Sequence, residues 1–192
     1  MNCKNLFEDL RKSISLDEMD EMLYAFDKWE RYTGSPAGEA AVDYIMDSLR
    51  KYGVTCHTEE YEPLVSLPIC ASVEVLGENR IQIPAIADVF STDANDLVGE
   101  LYVDQPGALT KNEEKERLAA YQGKIILTTG GRIKGDFVLK AKAAGARAVL
   151  HMAPEDNPCI MHGTVGCVWG TPTTETLSKT KLIPCAGIYK AS

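Results

Sequence analysis

The densest potential chemistry in this sequence lies near its C-terminal end. Cys159, His162 and Cys167 form a C-x2-H-x4-C pattern, with His151 and Cys185 available as a fourth ligand. Thiolate and imidazole together suit tetrahedral zinc. The spacing is not that of a standard finger, and the intervening Gly163-Thr164-Val165-Gly166 is apolar and flexible. A glycine-rich loop with buried cysteines is therefore the preferred reading, and no metal ligand is assigned. Trp169, followed by Gly170 and Pro172, could hold an aromatic at an exposed edge, where aromatics favour binding. The alternative is a Trp folded into the core. His162 and Trp169 are the candidate docking residues.

Other chemistries find less support. Nucleophilic catalysis needs a nucleophile, a base and an orienting group. GxSxG and HExxH are absent, and pairing a cysteine with His57, His151 or His162 has no positional basis. Gly130-Gly131-Arg132 joins a strand to a helix, but neither GxGxxG nor GxxxxGK[ST] is present, so it reads as a tight turn. Glu59-Glu60 reads as a solvated pair. No catalytic residue is assigned.

Composition narrows the classes further. The 192 residues are 45% hydrophobic and 25% charged, enough for a packed core and too ordered in composition for a disordered chain. A net charge of −8 argues against a nucleic-acid partner and against a basic membrane-surface protein. No apolar run reaches the roughly 18 residues of a spanning helix, and the first residues lack a signal peptide's apolar middle. Six widely spaced cysteines without a CxxC read as reduced thiols. The expected compartment is the cytoplasm.

The elements that must position these residues follow from periodicity. Ser15 caps a helix whose Met19, Met22, Leu23 and Phe26 recur at helical spacing, with Trp29 continuing that face. Ser35-Pro36 opens a second helix with a stripe of Ala41, Ile45, Leu49 and Tyr52, stopped by Gly53. Val54–Tyr61 alternates weakly and reads as a strand. Ala71–Leu76 and Arg80–Pro84 read as a hairpin, with further strands at Ile86–Phe90 and Gly99–Val103. The charged stretch Asn112–Tyr121 could be helical but has little apolar face, and reads as a surface connection. Gly123–Thr129, Phe137–Ala144 and Ala146–His151 form a strand–helix–strand unit that predicts a parallel pair, and Ile183–Tyr189 is the last strand.

Two blocks resemble a known family. Arg31-Tyr32-Thr33-Gly34-Ser35, then Tyr44-Ile45 and Leu49-Arg50-Lys51-Tyr52-Gly53-Val54, resembles the opening of M28-family zinc aminopeptidases. Gly123–Leu127, then Phe137, Lys140, Ala141, Ala144-Gly145-Ala146 and Ile183-Pro184, resembles the protease-associated (PA) domain inserted in several of these peptidases. Trp169–Pro172 before Ile183-Pro184 is similar to its PA-bearing members. The resemblance implies a mixed α+β (α/β) chain: residues 1–61 as the first helices and strand of a peptidase domain, and residues 62–192 as a PA-like sheet or open barrel flanked by helices. The family's metal ligands and base follow the insert, beyond Ser192. The resemblance thus implies a non-catalytic N-terminal portion that acts as a lid or docking module. Zinc is expected in the full-length parent and none in this chain. The implied partners are the rest of the peptidase domain, peptide substrates through the parent, and possible self-association through the stripe of Leu23, Phe26, Ile45 and Leu49. The alternative is a standalone binding or zinc-binding protein using Cys159, His162 and Cys167.

Overall fold

The computed structural model of the chain describes residues 3–105, 107, 110–129, 135–152, 160, 163–166, 173–175, 177 and 182–189. The chain forms two compact units, Met1–Glu62 and Pro63–Ser192.

The first unit is helical: α1 (Cys3–Ser13), α2 (Leu16–Asp27) and α3 (Pro36–Lys51). Free backbone N–H groups at helix starts need acceptors, and serine hydroxyls supply them. Ser15 Oγ accepts from the Glu18 N–H at 3.2 Å, and Ser35 Oγ from the Gly38 N–H at 3.0 Å. Gly38 has to be glycine, because a Cβ there would sit 2.7 Å from the Tyr32 carbonyl oxygen. Phe26, Trp29 and Tyr44 stack edge-on, with centroids 5.6 to 6.1 Å apart. Arg31 closes the end of α2, its guanidinium 5.1 Å from the Phe26 ring centroid and donating to the Phe26 and Trp29 carbonyls. Ala41 and Met46 are the hydrophobic side chains of this unit that are buried among the described residues. Phe26 and Leu49 are half-buried, while Leu23 and Ile45 are exposed. Val54–Tyr61, expected as a strand, has no ladder partner and forms none: alternation alone cannot make a strand without a neighbour to pair with.

The second unit is built on one six-stranded sheet in the order β1-β2-β6-β5-β4-β3. The strands are β1 (Ala71–Val75), β2 (Ile81–Ala87), β3 (Leu101–Asp104), β4 (Ile125–Thr129), β5 (Ala148–Met152) and β6 (Cys185–Ile188). The expected hairpin is present, with Val75 opposite Ile81. The strands read separately on either side of Pro84 are one strand, β2, which pairs antiparallel with β1 through Ala85 and with β6 from Ala85 on. Pro84 is tolerated because the ladder of β2 with β6 begins only at Ala85, so the N–H it lacks is not called on there, while its carbonyl accepts from the Tyr189 N–H at 3.2 Å. β3, β4, β5 and β6 run parallel, and β4–α5–β5 is the expected strand–helix–strand unit, with α5 at Gly135–Ala143.

Asn112–Tyr121 lies on the surface, as expected, apart from Tyr121 at its end. It contains α4 (Lys111–Ala119), started by a reciprocal cap. The Glu113 N–H donates to Thr110 Oγ1 and the Thr110 N–H to Glu113 Oε2, at 3.4 and 2.8 Å. The cap overrides the weak apolar pattern, and Leu118 and Tyr121 turn inward at the helix end. Tyr121 is fully buried in a core with Ile126, Val138, Ala141, Val149 and Cys185. The mixed α+β architecture, an open sheet flanked by helices and preceded by a helical segment, is the one the sequence implied.

Candidate functional site

Parallel register puts side chains in rows across β3, β4, β5 and β6. Tyr102, Ile126, Val149 and Cys185 form one row, all within or against the core. Two residues on, the same face carries Asp104, Thr128, His151 and Gly187. A polar row thus follows an apolar one at the C-terminal ends of the strands, where open α/β sheets present their ligand crevices.

His151 is fully buried, and its Nε2 lies 3.0 and 3.1 Å from the two carboxylate oxygens of Asp88, which is 2% exposed. A carboxylate only accepts, so Nε2 carries the proton in this pair. Nδ1 has no hydrogen-bond partner among the described residues. Asp88 Oδ1 also accepts from the Gly163 N–H at 2.5 Å, and the Asp88 N–H donates to the Cys185 carbonyl at 3.1 Å. One residue, just past the end of β2, therefore ties three parts together: its carboxylate holds β5 and the segment 163–166, and its backbone N–H holds β6.

That segment is held at several further points. The Val89 N–H donates to the Gly163 carbonyl and the Val165 N–H to the Val89 carbonyl, both at 3.0 Å. Phe90 follows with φ +66°, a left-handed conformation costing roughly 1–2 kcal/mol for a bulky residue. Its N–H donates to Ser66 Oγ at 2.9 Å. The backbone of Gly166 packs so closely on the Phe90 ring that a Cβ would stand 2.8 Å from it, and a Cβ on Gly135 would stand 2.7 Å from the Val165 carbonyl oxygen. Gly163–Gly166 is not the flexible loop its glycines imply. The structure makes it a fixed strap with Val165 buried, because the glycines let two backbones approach rather than move.

A second buried polar group lies at the other end of the row. Asp104 Oδ1, Arg117 Nε and the Tyr121 hydroxyl are buried with no hydrogen-bond partner among the described residues, and Asp104 Oδ1 and Arg117 Nε lie 3.7 Å apart. Burial first, then the neighbouring Asp104 carboxylate, holds the Tyr121 phenol far above its ordinary value of 10.0. Burial, reinforced by the Asp88 charge, likewise holds the Cys185 thiol far above its ordinary 9.0.

Cys159, His162, Cys167 and Trp169 lie outside the described residues. His151 and Cys185, considered as fourth ligands, sit on adjacent strands but are engaged elsewhere: His151 by Asp88, and Cys185 by the Ile183 carbonyl, to which its thiol donates at 3.2 Å. Among the described residues, no group of three or more His, Cys, Asp or Glu is placed to hold a metal. His57 is exposed, 3.5 Å from Glu59. The sequence did not single out Asp88. Its one signal was a lone carboxylate within the apolar run Ile86-Ala87-Asp88-Val89-Phe90. No helix among the described residues is long and apolar enough to cross a membrane.

No protein-family model matches the chain. It is 27% identical over 142 residues to the "Probable lipoprotein aminopeptidase LpqL" of Mycobacterium tuberculosis, covering 71% of this chain and 27% of that protein. Among solved structures it is similar in fold to BSAP, a zinc aminopeptidase from Bacillus subtilis. The TM-score is 0.51 at 22% identity, over 88% of this chain and 38% of that one. The chain thus spans well under half the length of either protein.

Proposed function

We propose that this chain is a non-catalytic portion of an M28-type zinc aminopeptidase, a hydrolase. Residues 1–61 begin the peptidase domain and residues 62–192 form a PA-type insert that serves as lid or docking module. The observation that carries this reading is the similarity to LpqL over 142 residues, which runs through most of this chain and only 27% of the relative. The fixed strap 163–166 adds to it. A segment pinned by Asp88, Val89 and Phe90 gives a docking module a rigid base, and His162 and Trp169 are the docking residues of this reading. The partners in this reading are the remaining peptidase domain and, through it, peptide substrates. Zinc belongs to that remaining domain.

The test is hydrolysis of an aminoacyl chromogenic substrate by this chain with added zinc. No turnover is expected. Measurable turnover abolished by a point change within residues 1–192 overturns the proposal. Stoichiometric zinc in the purified chain, lost on Cys159→Ser, would instead support a zinc-binding loop.

A further inference from the structure

We draw no further inference here: the strongest candidate, the outer edge of β3 at the end of the sheet, where Val98, Leu101 and Val103 are exposed, carries nothing because nothing among the described residues shows what covers it.

Discussion

Asp88 is a buried carboxylate whose two oxygens both accept from protein donors, the His151 Nε2–H shared between them and the Gly163 N–H on one. Removing it would leave both donors buried and unpaired. Asp88→Ala is therefore expected to destabilise the second unit by about 3–5 kcal/mol, read from the urea unfolding midpoint. A drop of under about 1 kcal/mol would mean that water replaces the carboxylate. Two other buried groups fix the response to alkali. Cys185 and Tyr121 both titrate above their ordinary 9.0 and 10.0 in the folded chain. A raised value means the fold favours the neutral form. That stabilisation is complete below about pH 9 and is lost as pH rises through the elevated values. The urea midpoint should hold steady up to about pH 9 and fall as pH rises beyond it, and Cys185→Ala should shrink the fall. At about pH 8, peptide mapping after iodoacetamide should find the exposed Cys70 alkylated while Cys185 stays protected until unfolding.

At the level of elements, close approach decides more than propensity. Gly135 begins α5, where alanine is ordinarily the better helix former by about 1 kcal/mol. Yet a Cβ there meets the Val165 carbonyl oxygen at 2.7 Å, and that carbonyl belongs to a strap with no room to retreat. Gly135→Ala is expected to destabilise by about 1–3 kcal/mol, the reverse of the propensity trend. A stabilised variant in thermal melts would show that the strap yields. How far the sequence reveals such features depends on where the deciding atoms are. The caps of α2 and α3, the β1–β2 hairpin and the parallel β4–α5–β5 unit were legible, because their determinants lie within a few residues of one another. The inward turn of Tyr121 was not, since what it packs against, Tyr102 and Phe137, lies on other elements. The Asp88–His151 pair spans 63 positions and leaves no local pattern. Pro84 misled the strand reading in the opposite way: a proline that would break a central ladder sits where β2 exchanges one partner strand for another.

For the molecule as a whole, the two units should differ in how firmly each holds itself together. The second unit has a core of aromatic and branched side chains across α4, α5 and the parallel strands. In the first, burial among the described hydrophobic side chains is limited to Ala41 and Met46, and Leu6, Phe7, Leu10, Leu16, Leu23 and Tyr24 remain exposed. A helical unit of this size with so little buried apolar surface gains only a few kcal/mol on folding, and its net charge of −7, from seven Lys and Arg against fourteen Asp and Glu in residues 1–62, repels itself. Amide hydrogen exchange should accordingly be fast across α1, α2 and α3, approaching the rates of locally opening helices, and slowest in β4, β5 and β6. Added salt should slow exchange in the helices by screening the acidic residues and leave the sheet unchanged. Equal protection of α3 and β5 at low salt would show that the helical unit draws on stabilisation beyond its own side chains. Its exposed apolar residues would then already be covered in solution.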